Sequence, residues 1–181
     1  MKVERGHLSG VLVLTPRVFA DDRGWFKETY HAARYLEAGI PELPQHNVSV
    51  SRRGVIRGLH FQRAPHAQGK LVQVLRGAVY DVVVDFREGS PTYGRWEAFE
   101  VTAENHRQLW VPAGFAHGFQ ALEDDTIFHY ACSALYAPSA EGAYHPYSES
   151  LAIPWPLREA ALVNAKDAAA PPSPAPVHVR S

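Results

Sequence analysis

Glycine, proline, asparagine and aspartate recur at short intervals along this chain, and the runs between them are rich in valine, isoleucine, phenylalanine, tyrosine and tryptophan. That punctuation leaves few windows of the roughly 10–12 uninterrupted residues a packed helix needs, while β-branched and aromatic side chains suit a pleated, half-buried surface. The chain is therefore expected to be all-β. Predicted strands are Gly10–Thr15, Trp25–Tyr30, Gln45–Ser51, Val55–Phe61, Lys70–Leu75, Ala78–Phe86, Trp96–Val101, Gln108–Val111, Gly118–Leu122 and Thr126–Leu135. Within Ala78–Phe86, Tyr80, Val82, Val84 and Phe86 share one face, and Val79, Asp81, Val83 and Asp85 the other. The two acids suggest that the second face is wet. One connecting helix is predicted over His31–Ala38, with Tyr35 and Leu36 turned inward and Gly39 ending it, and a second short helical stretch around Leu157–Val163.

Many short strands in about 130 residues point to a jelly roll or small barrel with a few short peripheral helices, whose mouth gathers polar side chains into a pocket. At 181 residues and 46% hydrophobic content, the chain suffices for one core and not comfortably for two. A single domain over residues 1–170 is expected, followed by a Pro- and Ala-rich tail, 171–181, with too little to bury to be ordered. The formal net charge of -1 offers no field for nucleic acid or an anionic membrane. No run approaches the roughly 18 apolar residues of a membrane span, so a cytoplasmic protein is expected. A single cysteine, Cys132, excludes an intrachain disulfide and a thiolate metal cluster.

Three segments carry residues suited to chemistry. In Arg57-Gly58-Leu59-His60-Phe61-Gln62, strand alternation sends Arg57 and His60 to opposite faces, so a bend is needed to bring them together. Alone, His60 reads as a half-buried strand histidine, and Lys70, after Gln68-Gly69, as a cation snorkelling at a barrel rim. The run Pro112-Ala113-Gly114-Phe115-Ala116-His117 has the Pro-x-Gly-x-x-His spacing of the second half of the cupin metal signature. The first half needs two further histidines and a carboxylate, and here only His60 stands, with Lys70 among those positions. A fixed ammonium beside a dication is costly, which favours a metal-free site with His117 as a donor to a bound ligand. The third segment, Thr126–Cys132, puts Tyr130 and Cys132 on one face, with Tyr136 beyond it. Asp21-Asp22-Arg23-Gly24 reads as a charged turn unless the ligand is a phosphate, which Arg23 would then meet.

Taken in order, these segments resemble the dTDP-4-dehydrorhamnose 3,5-epimerase family, metal-free cupins that act on nucleotide sugars. The similarity runs through Pro16–Arg23, Asn47–His60, Gln68–Lys70, Gly77–Asp85, Ser90–Gly94, Ala103–Phe119, Tyr130–Pro138 and Lys166–Pro171. It implies a cupin-type jelly-roll barrel that epimerises carbon 3 and carbon 5 of dTDP-4-dehydro-6-deoxyglucose without a cofactor. His60 takes the place of the family's base, with Asp167 as its partner, and Tyr130 that of its acid. The resemblance places Lys70 at the sugar oxygen, Arg23, Arg57 and Lys166 near the pyrophosphate, and Tyr136 on the thymine. Phe26, Glu28, Gln45, His46, Asn47, His117 and Glu141 match the remaining ligand positions. It also implies a homodimer in which an N-terminal strand crosses to the neighbour, so that Arg23 and Glu28 can serve the second subunit. His46, Ala131 and the stretch His145–Ser148 depart from the commoner residues of the family. The alternatives left by the sequence are a single-centre epimerase of a related deoxysugar, a metal-dependent cupin oxygenase and a non-catalytic nucleotide-sugar binding module.

Overall fold

The computed structural model describes residues 1–174. Its strands are β1 (Lys2–Arg5), β2 (Leu12–Thr15), β3 (Val18–Asp21), β4 (Gly24–Lys27), β5 (Gln45–Ser51), β6 (Val55–Gln62) and β7 (Lys70–Arg76), followed by β8 (Ala78–Asp85), β9 (Trp96–Thr102), β10 (Gln108–Val111), β11 (Phe115–Ala121), β12 (Thr126–Cys132), β13 (Glu141–Ala143) and β14 (Leu162–Val163). Two short helices, α1 (Ala32–Glu37) and α2 (Ala165–Ala168), lie outside the sheets. One sheet runs β1-β2-β10-β7-β12-β5 and the other β13-β6-β11-β8-β9, with β14 added beside β6. Apart from the parallel β14–β6 pair, neighbours are antiparallel. The result is the predicted all-β, cupin-like jelly roll.

Alternation explains how the layers close. Val72 and Val74 of β7, Leu109 and Val111 of β10 and Phe128 of β12 meet Val79, Val83, Phe115 and Phe119 of the opposing sheet in the central core. The reverse face of the second sheet, with Ile56, Leu59, Val82, Val84 and Ala116, is covered by Leu151, Ile153 and Trp155 from the C-terminal segment. That segment is tied down where Trp96 Nε1 donates to the Leu151 carbonyl and Trp155 Nε1 to the Pro146 carbonyl, at 2.8 and 2.9 Å. On the reverse face of the first sheet, Tyr35, Ile40 and Leu43 cover Leu14, Leu71, Trp110 and Ala131.

Several expectations are corrected. Leu36 is exposed at 65% while Tyr35 is buried, because a six-residue helix presents only one stripe to the sheet. The stretch 157–163 is not helical; its end forms β14, which pairs with Val55 and Ile56 of β6. Strands β1 and β3 went unrecognised because the first is exposed throughout and the second pairs only with β4, in a projecting hairpin. The face of β8 bearing the acids is not wet: Asp81 and Asp85 are fully buried. Asp85 accepts from Arg87 Nη2 at 2.7 Å, Ser90 Oγ at 2.6 Å and Thr92 Oγ1 at 2.5 Å, and Asp81 from His117. Part of the tail is also docked: the Pro171 carbonyl accepts from His145 N, and Ser173 N donates to Ser148 Oγ at 2.7 Å. The rest of the expected disordered tail, 175–181, lies outside the described residues.

Burial alone would raise the Asp85 carboxyl, but its hydrogen bonds from Arg87, Ser90 and Thr92 outweigh burial and hold it well below the usual carboxylate range. A depressed folded-state value stabilises fully above the unfolded value of about 3.9, and that stabilisation is lost as pH falls below it. Asp85→Asn should therefore cost about 1.5–3 kcal/mol at pH 7, with the gap to wild type shrinking between pH 4 and pH 2.5. Urea unfolding across that range checks this, and a gap that does not change with pH would contradict it.

Candidate active site

The cavity lies between the two sheets, and each sheet contributes one wall. On the first, Gln45, Asn47 and Ser49 of β5 are half-buried while His46, Val48 and Val50 between them are exposed. Register sets Asn47 opposite Tyr130 and Ser49 opposite Phe128, and it sets Lys70 opposite Cys132. On the second wall, His60 pairs with His117 and Arg57 with Phe119, so the four residues 57–60 of β6 face the three residues 117–119 of β11. The extra residue is a β-bulge that resets the alternation. Arg57 and His60 thus face the cavity together, while Ile56 and Leu59 pack into the cluster behind. This is the bend the sequence required. Gly58 sits in it at φ +131°, and a Cβ there would lie 2.5 Å from Gly118 Cα and 2.8 Å from the His117 carbonyl oxygen.

The bulge also prepares the acid that serves His60. Asp167 Oδ2 accepts the Gly58 N–H at 3.1 Å, and Asp167 Oδ1 lies 2.7 Å from His60 Nε2. Strand β14 delivers the chain to this point, and Asn164 caps α2 by accepting the Asp167 N–H at 2.7 Å. Asp167 is fully buried; burial pushes its carboxyl up, but the bonds from His60 and Gly58 and nearby positive charge prevail and keep it below its ordinary value. An ionised carboxylate only accepts, so His60 donates through Nε2–H and its Nδ1 lone pair is left for chemistry. A second imidazole is held in the same way: His117 Nε2 lies 2.9 Å from both Asp81 oxygens.

Around these rings stand groups of complementary character. A cavity of about 170 Å³ is lined by Arg57, His60, Lys70, His117, Tyr130, Phe119 and Phe128 among others. An adjoining one of about 100 Å³ shares His60, Lys70 and Tyr130 with it and extends to Gln45, Asn47, Tyr136 and Glu141. Burial pushes the Tyr130 phenol up and Cys132 adds to this, with Arg57 opposing, so the phenol keeps its proton at neutral pH. Burial draws the Lys70 ammonium down. Among the described residues Lys70 has no hydrogen-bond or ion-pair partner, which leaves its charge for a ligand oxygen. At the outer end Glu141 Oε2 accepts from Lys166 Nζ at 2.7 Å and from the Tyr136 hydroxyl at 3.0 Å, while Gln45 Oε1 takes the Tyr136 N–H at 2.7 Å. The half-exposed Tyr136 ring is thereby fixed at the entrance.

Not every expected residue converges. His46 points away from the cavity, bonding the Leu43 carbonyl at 3.1 Å and His129 at 3.3 Å, because it alternates with Gln45 and Asn47. Arg23, Phe26 and Glu28 belong to the β3–β4 arm and the turn after it, and they line neither cavity. Arg23 pairs with Asp21 at 2.6 Å, Glu28 with Arg34, and Phe26 is 68% exposed. Sequence reasoning missed Asp81, Ser49 and Asn164. Acids alternating with valines on one face of β8 were the available signal for Asp81; the other two gave none. Among the described residues no three His, Cys, Asp or Glu side chains group as metal ligands.

Comparison with known proteins gives a consistent result. The family described as dTDP-4-dehydrorhamnose 3,5-epimerase matches residues 5–173. The dTDP-4-dehydrorhamnose 3,5-epimerase of Salmonella typhimurium is 45% identical over 173 residues, 94% of each chain. A crystal structure of dTDP-6-deoxy-D-glucose-3,5-epimerase from Legionella pneumophila, in complex with dTDP-4-keto-L-rhamnose, superposes with a TM-score of 0.91 at 43% identity, covering 94% of this chain and 92% of that one. A 3'-monoepimerase from Streptomyces bikiniensis in complex with dTDP-quinovose is similar at 37% identity and TM-score 0.87, covering 92% and 85%.

A half-buried ammonium with no hydrogen-bond or ion-pair partner among the described residues costs folding free energy. Replacing it by an apolar group of like volume, Lys70→Met, should stabilise the fold by about 0.5–2 kcal/mol while removing whatever the charge does for a ligand. Thermal unfolding at pH 7 reads the effect, and a lowered midpoint would show that Lys70 is satisfied within the fold.

Proposed function

The chain belongs to the dTDP-4-dehydrorhamnose 3,5-epimerase family, and on that premise we propose that His60 and Tyr130 are its proton acceptor and donor, acting from opposite walls on a dTDP-linked 4-keto-6-deoxyhexose. The protein is an isomerase that converts dTDP-4-dehydro-6-deoxy-D-glucose to dTDP-4-dehydro-L-rhamnose by inverting carbons 3 and 5. The observation that carries the assignment of roles is the placement of His60 on one sheet and Tyr130 on the other, across one cavity.

A hydrogen beside a ketone is a weak acid until the developing enolate is stabilised. Lys70 supplies that stabilisation at the ketone oxygen, an effect typically about 10²–10³ in rate per donor, with His117 beside it. His60 Nδ1 then takes the proton from one face, and Asp167 holds the Nε2–H tautomer and balances the imidazolium that forms. Inversion requires that the new C–H bond form from the other face, which Tyr130 reaches with its phenolic proton. The phenolate and imidazolium left behind return to their starting states by exchange with solvent. Carbons 3 and 5 both flank the ketone at carbon 4, so one pair of groups serves both once the sugar shifts. Proton transfers alone balance the reaction.

Tyr136, Glu141, Gln45 and Asn47 form the base-binding end, Lys166 and Arg57 meet the diphosphate, and the arm bearing Arg23, Phe26 and Glu28 completes the site of a second copy. Support for the homodimer comes from the arm itself, whose Phe19, Trp25 and Phe26 are all at least half exposed. An apolar hairpin of this kind is stable when a second subunit buries it.

Turnover in heavy water followed by proton NMR should place deuterium at both carbon 3 and carbon 5 of the product. His60→Asn and Tyr130→Phe should each slow product formation by about 10²–10⁴ with binding of dTDP kept. Label at one carbon alone would make this a single-centre epimerase, as the Streptomyces bikiniensis relative is described. Unchanged turnover in either variant would refute the roles assigned.

A further inference from the structure

The lining of the cavity includes polar groups that the fold leaves unused. Ser49 lines it, and its hydroxyl is shielded from solvent with no hydrogen-bond partner among the described residues. Asn164 lines it too; its Oδ1 is taken by the Asp167 N–H at 2.7 Å, while its Nδ2 makes no bond among the described residues. Arg57, which lines the same cavity, is braced by Ser51 Oγ and the Val50 carbonyl, both at 3.1 Å, which leaves one guanidinium nitrogen without a bond among the described residues. No Asp or Glu side chain lines this cavity, whereas Glu141 lines the neighbouring one.

Each feature has a plain structural reading. Asparagine is a good helix cap and serine is tolerated on a strand, but capping uses only the amide oxygen, and a shielded hydroxyl without a partner weakens a fold. The three groups agree in kind: the guanidinium and the amide NH₂ can only donate, and a serine hydroxyl turns between staggered wells to donate with them. A donor-only set without a carboxylate matches a group made of acceptors and carrying negative charge, not a sugar hydroxyl, which both gives and accepts.

We infer that Ser49 and Asn164 act with Arg57 as binding residues for the diphosphate of the nucleotide sugar. This rests on the reading above that the ligand is dTDP-linked. Binding supplies the partner that the Ser49 hydroxyl lacks. It also couples the diphosphate to the catalytic base, since the asparagine that holds the phosphate oxygens is the one that caps Asp167.

Two variants and two ligands separate the outcomes. Ser49→Ala removes one donor, and Asn164→Asp preserves the cap but replaces the NH₂ donor with an acceptor. Calorimetric titration of the full-length protein with dTDP should show about tenfold weaker binding for Ser49→Ala, the size of one hydrogen bond to a charged group, and a larger loss for Asn164→Asp. Binding of thymidine, followed by ligand-observed NMR, should be unchanged in both. KM for the dTDP-sugar should rise in step with the dTDP affinity lost. Unchanged dTDP affinity, equal losses for dTDP and thymidine, or a loss seen with the dTDP-sugar but not with dTDP would each overturn the inference. Failure of wild type to bind dTDP would instead overturn the ligand reading on which it rests.

Discussion

The hydrogen bond between His60 and Asp167 joins residues 107 apart in sequence, and much of the molecule is organised to make it. Strand β6 must bulge so that His60 faces inward with Arg57, Gly58 must lack a side chain so that the bulge can press against Gly118, and the N–H freed there must find Asp167. The C-terminal segment must cross the back of the second sheet, lay β14 beside β6 and end in a capped helical turn. A buried carboxylate is costly unless it is paired, so the hydrogen bonds that retain Asp167 in ionised form are also what fix the imidazole tautomer.

The division of labour between the two sheets gives this bond its chemical meaning. Epimerisation needs a base and an acid on opposite faces of one ring, and a barrel of two facing sheets provides opposite faces without special adaptation. The wall with His60, His117 and Arg57 carries its rings on buried acids, Asp167 and Asp81. The facing wall brings a phenol, raised by burial, and an ammonium, lowered by burial, from positions whose alternate residues fill the core. Burial thereby keeps the proton on the Tyr130 phenol at neutral pH.

Much of this was legible in the sequence where period carries the information. Strands β5 to β8 and β12 follow from alternation and punctuation, whereas only the family resemblance grouped His60 with Lys70, Tyr130 and Asp167, which the fold brings to one cavity and the carboxylate behind it. Alternation could not show that Arg57 and His60 share a face, because a bulge adds a residue without any marker beyond Gly58. It misjudged Asp81 and Asp85 as solvated, since burial of an acid is decided by partners remote in sequence: His117 in one case and the turn Arg87–Thr92 in the other. His46 went astray for the opposite reason: motif position placed it with Gln45 and Asn47, but strand period turns it outward. The 157–163 stretch gave a helical composition to a segment that tertiary pairing claims as β14.

The central claim is that Asp167 holds His60 as the Nε2–H tautomer, with Nδ1 free toward the cavity. Nitrogen-15 NMR of the His60 ring at neutral pH tests it most directly. The account predicts a protonated Nε2 in wild type and a mixture of tautomers once Asp167 is replaced by alanine. A His60 ring found protonated at Nδ1 in the wild-type protein would contradict it.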